Sequence, residues 1–252
     1  MSKRYKDEVI ANELKLYIVC DNAYDLAQND NDSFILMRKN GFGASDSSIL
    51  LGVNPWKKLP DLVKDKRTMQ VTSEDKVIGQ KESVRKGSDL EPLILKKFEQ
   101  FSKLDCYKPD AMYRHTVYEH LTVDFDGLVT MGNTIIPVEA KFASRYALKY
   151  WSPEKSIDSI MGGRELKCAG ANLQDHITQE AELYGIPVYY YTQLQHQMLM
   201  CNNAPFGYLA VLFEKDWEFK VFRIWRDDFA IEQLVSISIE IWEDIKEKRG
   251  EP

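Results

Sequence analysis

The chain has 252 residues, 44% hydrophobic and 29% charged, proportions of a globular protein long enough to bury a real core. Its formal charge is −6, so any basic surface for nucleic acid must be local within an acidic whole. No window approaches the roughly 18 apolar residues that span a bilayer, and the scattered Cys20, Cys106, Cys168 and Cys201 form no C-x-x-C, which argues against a zinc or iron–sulfur site and suits reduced thiols in a cytoplasm.

The first twenty residues mix basic and acidic side chains without an uninterrupted apolar stretch, and no signal peptide is expected. Residues 20–33 and 65–88 are polar and read as loops. Ser45–Leu51 predicts a short helix, capped by Ser45 or Asp46 and stopped at Gly52. Ser88–Ser102 predicts a longer one, with Leu90, Leu93, Ile94, Phe98 and Phe101 at helical spacing. Residues 121–129 alternate as a strand: Leu121, Val123 and Phe125 point one way, Asp124 and Asp126 the other, until Gly127. Met131-Gly132-Asn133 turns into a second strand over 134–142.

Further on, a helix over Tyr189–Cys201 carries apolar Leu194, Met198 and Leu199 and glutamines at 193, 195 and 197. Strands over Gly207–Phe213 and Trp217–Trp225 are joined through Glu214-Lys215-Asp216. A long helix then starts near Asp228 with Ile231, Leu234, Val235, Ile239 and Trp242. There are no repeats. The order predicts an α/β (α+β) fold, a sheet covered by helices in one domain.

The chemistry starts at Glu139 and Lys141. In a strand, residues i and i+2 share a face, so this carboxylate and this ammonium project together. Asp126, near the end of the neighbouring strand, joins them. Carboxylates suit a hard Mg²⁺ or Mn²⁺ ion, which activates water and neutralises a phosphate, and the lysine orients that water or stabilises developing charge. The set points to metal-assisted phosphodiester hydrolysis. The bland alternative is the wet face of a strand, because D-x(12)-E-x-K arises by chance in many proteins.

The rest of the chain separates the two. In order it holds Arg38-Lys39-Asn40-Gly41-Phe42-Gly43-Ala44-Ser45-Asp46, Leu51-Gly52-Val53-Asn54-Pro55-Trp56 and Gly87-Ser88-Asp89-Leu90-Glu91-Pro92. Asp126-Gly127, Glu139-Ala140-Lys141 and Gln193-Leu194-Gln195-His196-Gln197-Met198 follow. This series, over about residues 34–225, resembles the YqaJ-like viral recombinase, or phage lambda exonuclease, family within the PD-(D/E)xK nuclease superfamily. The resemblance implies a restriction-endonuclease-like core, a central mixed sheet flanked by helices. Residues 1–33 would be an N-terminal extension and 142–188 an insertion within a single nuclease domain, 1–252.

It also implies a Mg²⁺-dependent 5′→3′ exonuclease on linear double-stranded DNA ends, with Mn²⁺ a substitute. The enzyme would leave 3′ single strands for an annealing protein, as a ring-shaped homo-oligomer such as a trimer, in the cytoplasm of a phage's bacterial host, without a membrane. Asp126 and Glu139 would hold the metal, Glu91 would complete the site, and Lys141 would be the catalytic lysine. Arg38 and Ser45 would contact the 5′-terminal phosphate, and Gln193 or Gln195 would lie at the edge of the active site. Phe125 stands where the superfamily's proline would.

Each assignment has a structural rival. Ser45 is also a plain N-cap, and Ser88-Asp89-Leu90-Glu91 fits a capping box. The glutamines also read as an exposed helix face, of which at most two share a side. His196 reads as packing or surface. Trp56 reads as a core aromatic beside a turn, or as a surface on which a base stacks. Lys57-Lys58 and Lys64–Arg67 offer either a local basic surface or ordinary solvated charge. Residues 142–192, with Tyr146, Tyr150, Trp151 and Gly162-Gly163-Arg164, would line a DNA channel, form a subunit contact or close over the site. Two other functions fit the same pattern: an endonuclease of the superfamily, restriction- or repair-like, and a non-catalytic DNA-end-binding recombination protein.

Overall fold

Strand β5 (Thr134–Ala143) is the axis of the molecule, and the reason lies in its composition. Thr-Ile-Ile-Pro-Val and Ala-Lys-Phe-Ala are apolar on both faces except at Glu139 and Lys141, as a central strand requires. The computed structural model describes residues 3–23, 26, 27, 31–73, 75, 77, 82–159, 172–202 and 204–249. In it β5 pairs antiparallel with β4 (Gly127–Met131) and parallel with β6 (Phe206–Phe213). Antiparallel β7 (Phe219–Trp225) completes a mixed sheet in the order β4-β5-β6-β7. The β4–β5 turn is Gly132-Asn133, with Gly132 at φ 62, a left-handed conformation that glycine adopts without a steric penalty.

A second sheet joins β1 (Leu16–Cys20), β2 (Met112–His115) and β3 (Thr122–Asp124), all antiparallel. The strand expected over 121–129 is therefore two strands in two sheets, with Phe125-Asp126 at the junction. Phe125 is buried against Tyr113, ring centroids 5.9 Å apart, so the chain pivots on a core aromatic instead of continuing one ladder. Gly127 follows because a Cβ there would lie 2.6 Å from the Cys106 sulfur. Neither β1 nor β2 is expected from the sequence.

The main helices among the described residues are α1 (Lys3–Leu14), α2 (Asn31–Lys39), α3 (Ser47–Leu50), α4 (Leu59–Arg67), α5 (Glu82–Ser102), α6 (Leu173–Tyr184), α7 (Val188–Met200) and α8 (Asp228–Glu247). Both expected loops shrink: α2 begins within 20–33, and 65–88 is bounded by α4 through Arg67 and by α5 from Glu82. Helix α5 buries Ile94, Leu95 and Phe98, an anchor strong enough to carry polar turns through Gly87. Ser88 is thus well inside the helix, so the rival reading of Ser88–Glu91 as a capping box at the helix start is set aside. Among the described residues, no helix is long and apolar enough to cross a membrane.

Parallel pairing of β5 with β6 demands a crossover connection. Two 3-10 turns, Arg145–Tyr150 and Pro153–Lys155, then α6 and α7, supply it. The segment 142–192 is first of all this crossover, and its Trp151 is buried against Phe213 and Phe222. Gly162-Gly163-Arg164 and Cys168 lie outside the described residues. One large apolar cluster runs from Ala11 and Leu14 of α1 through the four-stranded sheet to Trp242 and Ile245 of α8.

Candidate functional site

The β4–β5 register pairs Gly127 with Val138. Continued by one residue, it sets Asp126 opposite Glu139. Asp126 Oδ2 accepts a hydrogen bond from the Ala140 N–H at 2.9 Å, which fixes the junction carboxylate beside the strand that carries the other two groups. Lys141 Nζ lies 3.7 Å from Asp126 Oδ2 and in direct contact with Glu139 Oε1. The three groups expected to meet do so.

Glu139 is completely buried. Such a carboxylate needs partners, and α7 provides them: Gln193 Nε2 donates to Oε1 at 2.5 Å and Gln197 Nε2 donates to Oε2. Residues four apart lie on one side of a helix, so Gln193 and Gln197 face β5 together. Gln195, which falls on the opposite side, stands apart from the site. Its Nε2 donates to the Trp225 carbonyl at 2.9 Å and its Oε1 accepts from the Asp227 N–H at 2.9 Å, stitching α7 to the start of α8. Gln195→Ala is therefore expected to lower stability by about 1–3 kcal/mol through two lost buried bonds. Its hydrolytic rate per folded molecule should stay unchanged. Urea denaturation and an assay corrected for folded fraction check this together.

Electrostatics show what the cluster lacks. Burial and the neighbouring Asp126 push the Glu139 carboxyl up to about 8, against the pull of Lys141 and Gln197. Burial also works against the Lys141 charge, but Glu139 and Asp126 outweigh it and hold the ammonium protonated above the ordinary lysine range. Glu91, on α5, is raised by burial and by Asp126, while Lys108, in ion-pair contact with it, pulls the other way. Asp126 disfavours the charged forms of Glu139 and Glu91, and Lys141 and Lys108 oppose it.

Among the described residues, no three His, Cys, Asp or Glu side chains are arranged as a ready metal cage. Asp126 and Glu139 supply hard oxygen donors converging on one cation, Lys141, and Glu91 is turned onto Lys108. The donor chemistry fits Mg²⁺ or Mn²⁺ better than a softer metal.

Arg38 and Ser45 also come together. Arg38 Nη2 donates to Ser45 Oγ at 3.0 Å, and both residues are exposed. Ser45 is not a helix cap: the 3-10 turn Ala44–Asp46 starts from Gly43, whose N–H donates to Asp46 Oδ2 at 3.0 Å. Buried Lys66 ties the two segments, donating to the Arg38 carbonyl at 2.9 Å and pairing with Asp46 at 2.8 Å. Asp124, at the end of β3, lies within electrostatic reach of both Arg38 and Asp126. Lys57 pairs with Asp65, and Arg67 with Asp244, so most of the expected basic surface is spent internally.

His196 is a packing residue: its Nε2–H donates to the Thr122 carbonyl at 3.0 Å, its Nδ1 faces Ser47 Oγ, and burial lowers it to about 4, keeping it neutral. Sequence reasoning missed Gln197 and Lys108. The helical repeat from Gln193 could have found the first; Lys108, in irregular chain, carries no such signal.

A family model described as the YqaJ-like viral recombinase domain matches residues 33–204. The uncharacterized protein YqaJ of Bacillus subtilis is 29% identical over 223 residues, covering 87% of this chain. The chain spans 58% of that relative's length. The crystal structure of an alkaline exonuclease, LHK-Exo, from Laribacter hongkongensis superposes with a TM-score of 0.59 at 14% identity, over 86% of this chain and 93% of that one. The same enzyme in complex with dAMP gives 0.56 at 15% identity, over 86% and 96%. The fold shared with that enzyme has a central mixed sheet flanked by helices, as expected.

Proposed function

The chain belongs to the YqaJ-like viral recombinase family, and from that premise we propose that it is a metal-dependent 5′→3′ exonuclease on linear double-stranded DNA. It removes one strand from an end and leaves a 3′ single strand for phage-type recombination. The observation that carries this reading is the meeting of Asp126, Glu139 and Lys141, with Glu139 pinned by the amides of Gln193 and Gln197.

Asp126 and Glu139 would hold Mg²⁺, or Mn²⁺ in its place, and Glu91, now paired with Lys108, would be the third oxygen donor. Such an ion, when bound, would supply an activated water and neutralise charge on the scissile phosphate. The Lys141 ammonium, kept charged by its acidic neighbours, orients the attacking water and offsets the charge that grows on the phosphate oxygens. Gln193 and Gln197 hold the Glu139 carboxylate so that it does not turn away. Arg38 presents a fork of donors and Ser45 a hydroxyl to the 5′-terminal phosphate, which sets the end from which digestion starts. A ring-shaped homo-oligomer such as a trimer keeps the enzyme on its strand, and an annealing protein takes the product, in the cytoplasm of a phage's bacterial host.

The test uses linear duplexes with 5′-phosphoryl or 5′-hydroxyl ends, in Mg²⁺, with closed circles as control. Progressive loss of the 5′-phosphorylated strand is expected, with circles spared. Arg38→Ala should lose about tenfold or more of the preference for phosphorylated ends, the worth of a charge-assisted bond. Cut circles would replace this reading with an endonuclease, and ends bound but never cut in either metal would replace it with a DNA-end-binding protein.

A further inference from the structure

Trp56 does not enter the core: it is 68% exposed. Its loop is stiff nevertheless. Asn54 Oδ1 accepts from the N–H groups of Trp56 at 2.9 Å and Lys57 at 2.8 Å, while Asn54 Nδ2 donates to buried Ser48 Oγ at 2.8 Å. Pro55 fixes one more dihedral between them. The indole leans on Tyr189, ring centroids 4.7 Å apart, and leaves its remaining surface open.

From there a path of rings leads inward. Tyr189 meets Tyr190 at 4.5 Å, and the Tyr190 ring carries Lys141 Nζ 5.6 Å from its centroid. Tyr150, 52% exposed, lies within electrostatic reach of Tyr189, and Lys149 Nζ is 4.9 Å from its ring centroid. Two exposed rings, Trp56 and Tyr150, and the Lys149 charge thus neighbour the half-buried Tyr189, which leads through Tyr190 to Lys141. A large aromatic held rigidly in water forgoes burial that the fold could otherwise use, and such exposure marks a binding surface.

We propose that Trp56 and Tyr150 form a stacking platform for unpaired nucleobases of the strand whose backbone passes Lys141. The inference rests on the nuclease reading of that site. A base inside a duplex already has both faces covered, so the platform selects a frayed or single-stranded base. Every base has a π face, so it does so without regard to sequence. Lys149 meets the adjoining phosphates.

Fluorescence anisotropy without divalent metal tests it, using a short oligothymidylate and an abasic oligomer of equal length and charge. The wild type is expected to bind the base-bearing strand about tenfold or more tightly than the abasic one. Trp56→Ala should abolish that preference while leaving abasic affinity in place, and Trp56→Phe should keep most of it. Hydrolysis of bis(p-nitrophenyl) phosphate, which has no nucleobase, should be unchanged in Trp56→Ala and reports that the fold and site survive. No base preference in the wild type, as expected of a surface for a partner protein, overturns the platform, and so does a preference that persists in Trp56→Ala. Hydrolysis of duplex ends by the wild type is read separately: its absence defeats the nuclease reading, whereas hydrolysis without base preference defeats the platform alone.

Discussion

Lys141→Ala is expected to reduce hydrolysis of duplex ends by about a thousandfold, the scale of losing one fixed charge aimed at a developing oxyanion. The side chain has a single well-defined place. It is largely buried on the central strand, touches Glu139, lies 3.7 Å from Asp126 and sits over Tyr190. Lys141→Arg keeps the charge but replaces a compact ammonium with a planar fork, so it should rescue little. Truncation also leaves Glu139 buried with only the two glutamine amides, and half of a buried pair is costly. A loss of about 3 kcal/mol in stability is expected. The double variant Lys141→Ala/Glu139→Gln also replaces the buried acid with a neutral amide. It should recover most of that stability and none of the activity. Equilibrium unfolding and single-turnover digestion, run on the same preparations, separate the two effects. A Lys141→Ala protein retaining more than about a tenth of the wild-type rate would remove Lys141 from the chemistry.

The site was more legible in the sequence than the fold around it. Strand β5 shows its purpose locally: apolar on both faces, with one acid and one base two residues apart. The period of α7 limits how many glutamines share a side, and the pair that does is Gln193 and Gln197, not Gln195. What was hidden depends on contacts distant in sequence. The split between β3 and β4 cannot be read from Leu121–Val129, because alternation is the same whether a strand continues or passes into another sheet at Phe125. Strands β1 and β2 are short, and each has meaning only beside the other, almost a hundred residues away. Helix α5 hides its start behind Gly87 and a misleading cap signal at Ser88, because its stability comes from burying Ile94 and Phe98, not from its first turns. Trp56 went the opposite way: hydropathy places it inside and the Asn54 turn holds it out.

Divalent metal should stabilise the wild type, and this tests the ligand set without reference to turnover. An ion that binds only the folded chain adds about 2.7 kcal/mol at a hundred times its Kd, which for a chain of this size is a rise of roughly 5–10 °C in Tm. A bound cation would offset the burial and the Asp126 charge that raise Glu139 and Glu91. Asp126→Asn should remove nearly the whole shift in Mg²⁺ or Mn²⁺. Glu91→Gln should remove only part of it, because Glu91 begins in contact with Lys108 and must first leave that partner. By the same argument Lys108→Ala, which frees Glu91, should increase the shift at a fixed subsaturating concentration of metal. The order wild type above Glu91→Gln above Asp126→Asn, reversed by EDTA in each case, is the expected result of a scanning calorimetry series. An unchanged shift in Asp126→Asn would mean that the ion binds elsewhere, and the convergence of Asp126 and Glu139 on Lys141 would then be an ion pair buried for structure alone.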